Sequence, residues 1–165
     1  MNDDFEIVLS DSREYADKDL SVKVYSNILD DIMKYAKGDP EHERGGFLLG
    51  SLEETENIYS IFITDMLIAK YTVNNMASLT FTHDSWNEAY REMEENYNGK
   101  IMLGWFHSHP GYGIFLSGMD MFIENNFFSL PYQVAYVVDP CADTFGFFGW
   151  EKPGKIQKVN NIVFV

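Results

Sequence analysis

Hydrophobic and polar residues change their period several times along this chain, and each change predicts a boundary between elements. Residues 1–20 are polar and charged and predict an extended or loosely packed lead-in. Val22-Lys-Val24 reads as a short strand. Ile28, Leu29, Ile32, Met33 and Ala36 then recur at helical spacing, predicting a helix capped by Ser26 that runs to Lys37 and is ended by Gly38-Asp-Pro40. Segments 46–49 and 59–63 read as strands with a polar turn at 53–57 between them. Segment 66–73 predicts another strand, 74–78 a soft polar stretch, and 79–81 a short strand.

A second helix, dense in Glu, is predicted from Asp84 to Tyr97 and stopped by Asn98-Gly99. Segment 101–106 is apolar throughout and predicts a buried strand whose end carries two histidines. Ser117 opens a third helix, running to Phe128 and stopped by Leu130-Pro131. Segments 133–138, 145–150 and 155–165 supply the last strands. Strands and helices interleave without a long linker or an internal repeat, so one mixed α/β domain is expected over 21–165.

Composition narrows the class. The chain has 165 residues, 45% of them hydrophobic and 16% aromatic, which fits one folded globule and argues against disorder. Its 12 basic and 26 acidic side chains give a formal charge of −14, which repels a polyanion and argues against nucleic acid as a partner. A protein substrate with a basic face would be attracted, although the excess acid also serves plain solubility. Cys141 is the only cysteine, so an internal disulfide and the Cys-rich zinc motifs are excluded. The acidic start lacks the basic and apolar regions of a secretory signal, and no apolar run approaches the roughly 20 residues of a membrane helix. A soluble cytoplasmic protein without membrane contact is the expectation.

The chemistry concentrates in one run, His107-Ser-His109-Pro-Gly-Tyr-Gly-Ile-Phe-Leu-Ser117-Gly-Met-Asp120. On an extended strand, residues i and i+2 share a face with Cα atoms roughly 6.5 Å apart. Two imidazoles so placed can lean toward one ion, with Asp120 as third ligand and a fourth position left for water, as in catalytic zinc sites. Each part has a structural reading too. Histidines at a strand end often bond to nearby backbone, and Ser117-Gly-Met-Asp120 has the spacing of a helix-capping box. Taken together in one run, they favour the metal.

The spacing His-x-His-Pro, six residues, Ser, two residues, Asp resembles the signature of the JAMM (MPN+) metallopeptidases. Gly104-Trp-Phe-His-Ser-His-Pro-Gly-Tyr-Gly and Leu116-Ser-Gly-Met-Asp are especially similar to the isopeptidase subunits of the proteasome lid and the COP9 signalosome. Upstream, Glu43-Arg-Gly-Gly46-Phe-Leu48-Leu-Gly50 matches the family's glutamate followed by Gly-x-Leu-x-Gly. Tyr132-Gln-Val-Ala-Tyr-Val-Val-Asp139-Pro140 resembles the strand after the motif helix.

The resemblance implies a single MPN domain with a cytidine-deaminase-like curved mixed β-sheet flanked by helices. It implies one catalytic Zn2+ on His107, His109 and Asp120, Glu43 as general base then acid, and Ser117 as donor to the developing oxyanion. The implied reaction is hydrolysis after the C-terminal glycine of ubiquitin or a ubiquitin-like protein, in precursor processing or deconjugation. An extended tail of that kind could pair with a strand edge within 66–79. Small relatives occur in bacteria beside E1-like activating and E2-like conjugating enzymes, antiphage systems included, and the compact size points to that setting. A zinc peptidase acting on a sulfur-carrier relative of ubiquitin and a non-catalytic MPN scaffold are the alternatives. Two departures stand out. Ile114-Phe115 replaces a frequent Cys-Trp, and no His or Cys lies between Asp120 and Cys141 to hold a second, structural zinc.

Other candidates receive structural readings. His83 is read as a loop or cap residue, and His42 and Glu41 as surface residues. No cysteine-protease signature surrounds Cys141. Phe122, Phe127 and Phe128 lie near helical spacing and are read as core. Tyr112 and Phe115, in the loop between ligands, are placed where a bound chain would pass.

Overall fold

A computed structural model describes residues 18–70, 72–74 and 79–165. The lead-in expected over 1–20 and the soft stretch 74–78 lie largely outside the described residues. In chain order the elements are β1 (Asp19–Val24), α1 (Ser26–Lys37), β2 (Gly45–Glu54), β3 (Ile58–Ile68), β4 (Val73–Asn74), β5 (Leu79–Thr80) and α2 (His83–Asn96). Then follow β6 (Ile101–Ser108), α3 (Gly118–Phe127), β7 (Val134–Asp139), β8 (Thr144–Lys152), β9 (Lys155–Lys158) and β10 (Ile162–Phe164).

Eight strands form one sheet in the order β10-β1-β3-β2-β6-β7-β8-β9, and β4 pairs separately with β5. The pairs β1–β10, β1–β3 and β6–β7 are parallel, and the other neighbours in the large sheet are antiparallel. Its two edge strands, β9 and β10, are consecutive in the chain, and the segment 159–161 that joins them reaches at most about 11 Å. The sheet must therefore curl until its ends approach, and the rings of Phe145 on β8 and Phe164 on β10 lie 6.1 Å apart. The expected curved mixed sheet is what forms.

Both faces of the sheet are covered, which is why β2, β6 and β7 read as nearly continuous apolar runs. Ile28, Leu29, Ile32 and Ala36 of α1 pack with Leu48, Ile61, Phe106 and Val138 on one face. Ala89 of α2 and Ile123 of α3 pack with Phe47, Leu49 and Trp105 on the other. On β6 the register against β2 slips between Leu48 and Leu49, leaving Leu103 as an extra residue. That bulge sends Leu103 to the α1 side and Trp105 to the α2–α3 side. His107, two residues on, follows Trp105 to the side where α3 begins.

Several expectations are corrected. Tyr25, not Ser26, is the N-cap of α1, with no side-chain capping bond. The strands expected at 59–63 and 66–73 are one strand through Ile68, because pairing with β2 resumes at Asp65 after a bulge at Thr64. His83 lies in the first turn of α2, where Thr82 and Ser85 form the capping box. Phe128 is fully buried, but Phe122 is 56% and Phe127 48% exposed. The buried stripe of α3 is Asp120, Ile123 and Glu124. Phe122 stands two residues from Asp120, roughly 200° around the helix, and Phe127 rests only one face on Trp86.

Candidate metal centre

Four elements deliver one side chain each to a point beneath the surface. His107 and Ser108 close β6, His109 follows it, Glu43 lies on the segment leading into β2, and Asp120 sits in the first turn of α3. Glu43, His107, His109 and Asp120 are each 5% exposed or less. One ligand atom from each falls within 4.8 Å of the other three. The histidine strand and the glutamate segment are stapled together by Ser108, whose Oγ accepts from Arg44 N–H at 2.8 Å and whose N–H donates to Arg44 O at 2.8 Å.

Ser117 and Asp120 do cap the helix. Ser117 Oγ accepts from Asp120 N–H at 3.1 Å, and Asp120 Oδ2 accepts from Ser117 N–H at 2.8 Å. The same Oδ2 stands 3.0 Å from both His107 Nε2 and His109 Nε2. Capping and convergence are thus one geometry: the capping bond aims the carboxylate at the histidines.

The donor set fits a metal ion. The two Nε2 atoms are 3.0 Å apart and each is 3.0 Å from Asp120 Oδ2, a near-equilateral triangle. Donors around a tetrahedral zinc with bonds of about 2.0–2.1 Å stand roughly 3.3 Å apart, so a small expansion admits the ion. Two imidazole nitrogens facing one another at this range repel unless a proton or a cation lies between them. His109 Nδ1 faces the carbonyl of Gly113 at 3.2 Å; a carbonyl only accepts, so in the neutral ring Nδ1 carries the proton and Nε2 keeps its lone pair. Glu43 Oε1 lies 3.6 Å from His109 Nε2, beside the triangle.

The electrostatics follow from burial and crowding. Burial pushes Glu43 up to about 7, helped by the charge of Asp120 and opposed by His109. Burial also lowers His107, against the pull of Asp120. For His109 burial acts downward too, but Asp120 and Glu43 outweigh it and hold the imidazole above its ordinary value. Asp120 lies well below the carboxylate range, because His107, His109 and the Ser117 N–H together overcome its burial.

Around the cluster, Tyr112 and Phe115 are each 44% exposed, with rings 6.1 and 4.8 Å from that of His109. His42 bonds to Asp39 at 3.0 Å, and His83 and Cys141 are exposed, all apart from the four-residue group. Supporting residues escaped the sequence reading. Trp105 stacks on His107, Glu124 bonds to Trp105, and Asp139 holds the loop after His109. Glu124 was detectable as an acid one turn beyond Asp120 on the same helix face. No helix among the described residues is long and apolar enough to cross a membrane.

Comparison with known proteins supplies an independent line. The family model described as JAB1/Mov34/MPN/PAD-1 ubiquitin protease matches residues 17–130. The 26S proteasome non-ATPase regulatory subunit 14 of Dictyostelium discoideum is 24% identical over 139 residues, 84% of this chain and 44% of that protein. The COP9 signalosome complex subunit 5 of Drosophila melanogaster is 30% identical over 122 residues, 72% of this chain and 36% of that protein. The chain therefore spans less than half the length of these relatives. The solution structure of a protein from Desulfitobacterium hafniense superposes with a TM-score of 0.64 at 17% identity, covering 87% of this chain and 92% of that one, a likeness of fold.

Proposed function

The chain belongs to the JAB1/Mov34/MPN/PAD-1 family, and from that premise we propose that it is a zinc-dependent peptidase cutting after the C-terminal glycine of ubiquitin or a ubiquitin-like protein. The observation that carries the reading is the convergence of Glu43, His107, His109 and Asp120 within 4.8 Å, all buried. Burying Glu43 beside Asp120 is unfavourable to its charged form, since burial and the nearby Asp120 charge lift its carboxyl to about 7. Such a cost points to chemistry rather than to a scaffold.

His107, His109 and Asp120 would hold the zinc, which when bound supplies Lewis acidity and an acidified water. Glu43 then takes a proton from the attacking water and returns it to the departing amine, a task suited to a carboxyl titrating near neutrality. Ser117 steadies Asp120 through the capping box and offers its hydroxyl proton to the oxygen that gains charge at the scissile carbonyl. Tyr112 and Phe115 line the approach. The β4–β5 pair, whose Leu79 packs over Gly45, is suited to receive an extended tail as an added strand.

The acidic chain favours a substrate with a basic face. A cytoplasmic setting, with E1- and E2-like enzymes of a bacterial ubiquitin-like pathway as neighbours, belongs to the same proposal. The deciding experiment incubates the zinc-loaded protein with ubiquitin-like proteins bearing C-terminal extensions, wild type beside Glu43→Gln. Cleavage after the terminal glycine by the wild type only, stopped by a chelator and restored by zinc, is expected. Equal cleavage by Glu43→Gln, or by metal-free protein, would sink the assignment.

A further inference from the structure

Asp139, the last residue of β7, is 2% exposed, and its carboxylate collects four backbone N–H groups. Oδ1 accepts from Gly111 at 2.9 Å, Cys141 at 2.9 Å and Ala142 at 3.2 Å; Oδ2 accepts from Gly113 at 3.1 Å. The bonds to Cys141 and Ala142 are the local turn that an aspartate before proline often makes. The other two reach 28 and 26 residues back in sequence, to the loop that leaves His109.

That loop has an unusual backbone. Gly111 and Gly113 have φ of 77° and 87°, in the left-handed region that glycine tolerates, so both N–H groups can turn toward Asp139. The Tyr112 N–H donates to His109 O at 3.1 Å, closing the turn. The carbonyl of Gly113 then stands 3.2 Å from His109 Nδ1. One glycine therefore faces two ways, its N–H held by a buried carboxylate and its C=O holding the imidazole.

We propose that Asp139 is a positioning residue for His109: by clamping Gly111 and Gly113 it fixes the carbonyl that takes the Nδ1 proton, and so aims Nε2 at Asp120 and Glu43. This rests on the metal reading of the cluster. An imidazole whose outer N–H is held by a fixed acceptor binds metal in one tautomer and one orientation, and loss of such outer support typically lowers metal affinity about 10–100-fold. A turn-forming aspartate alone would affect the stability of the β7–β8 corner and leave the metal untouched.

The test measures zinc affinity, by competition with a chromophoric chelator, for wild type and Asp139→Asn at a temperature where both are folded. Asparagine keeps the shape and one accepting oxygen for the local turn but sets an NH2 against a glycine N–H. The expected result is zinc binding weakened about 10–100-fold in the folded variant. Unchanged affinity with a lowered melting temperature would overturn the proposal and leave Asp139 a turn residue. Should Asp139→Asn not fold, amide exchange on the zinc-loaded wild type decides: slow exchange at Gly111 and Gly113 supports the clamp, and exchange at the rate of open loops overturns it. A wild type that binds no zinc removes the reading of the cluster and this inference together, whereas tight wild-type binding with an unaffected variant removes only the inference.

Discussion

The indole of Trp105 lies flat against the imidazole of His107, with ring centroids 4.3 Å apart and planes 10° from parallel. Because His107 Nδ1 is buried without a hydrogen-bond partner among the described residues, this stacking, rather than an outer hydrogen bond, sets the ring's tilt. The indole is fixed in turn by its Nε1–H, which donates to Glu124 Oε2 at 2.6 Å. Glu124 is fully buried and its Oε1 has no partner among the described residues. Burial pushes its carboxyl up to about 8, with the Trp105 bond opposing, so at neutral pH an uncharged acid backs the histidine.

This gives stability a pH dependence of definite sign. The ordinary value for Glu124 is 4.5 and the folded value about 8, so the native state keeps a proton that the unfolded chain has lost. Stability is therefore lost as pH rises from 4.5 to about 8. Glu124→Gln cannot ionise and escapes that loss. Whatever the offset at pH 5, the stability of Glu124→Gln relative to wild type should rise by roughly 2–5 kcal/mol by pH 8, at about 1.4 kcal/mol per pKa unit. Urea unfolding of metal-free protein at the two pH values reads it; a constant difference would mean that Glu124 ionises normally.

Metal binding should expel protons. Glu43 sits near 7 through burial and Asp120, and His109 is held above its ordinary value, so metal-free protein at pH 6.5 is partly protonated at both. A cation demands a free His109 Nε2 and favours the Glu43 carboxylate. Zinc binding at pH 6.5 is expected to release on the order of one proton. Titration calorimetry in buffers of different ionisation enthalpy measures this directly. Heats independent of buffer at pH 6.5 would contradict the arrangement.

The capping role of Ser117 and its proposed role as an oxyanion donor separate in experiment. As the cap of α3 it accepts from Asp120 N–H at 3.1 Å, so Ser117→Ala should lower stability by about 0.5–2 kcal/mol. As a donor to developing charge its loss should reduce kcat about 10²–10³-fold with KM little changed. A stability loss alone, with kcat intact, would leave only the capping role.

The polar run 107–120 was legible because its chemistry is local: spacing alone puts His107 and His109 on one side of a strand, and Ser117 and Asp120 in one helix turn. The cap and the approach of Asp120 to the histidines, which compete as readings of the sequence, share one arrangement in space. Less legible was whatever depends on long-range register. The bulge at Leu103 exists only because β6 meets β2, and it turns Leu103 to the α1 side while Trp105 faces α2 and α3. Asp139 reads locally as a turn residue, and its reach to Gly111 and Gly113 appears only once β7 lies parallel to β6. Periodicity placed Phe128 in the core correctly but misjudged Phe122 and Phe127, since helical spacing marks a stripe but not where a short helix leaves the sheet.

That misjudgement can be checked by substitution. Phe128 is fully buried, between Trp86 at 5.6 Å and Trp105 at 5.8 Å, and so backs the same indole that stacks on His107. Phe128→Ala would open a cavity there and should destabilise by about 3–5 kcal/mol. Phe122, at 56% exposure on the far side of the helix, has little to lose, and Phe122→Ala should stay within about 0.5 kcal/mol of wild type. Chemical denaturation of the metal-free proteins gives both numbers. Because the cavity would loosen Trp105, Phe128→Ala should also weaken zinc binding in whatever fraction remains folded, while Phe122→Ala should leave it unchanged. Comparable losses of stability in the two variants would mean that α3 sits on the sheet in a different rotation, with Asp120 no longer aimed at the histidines.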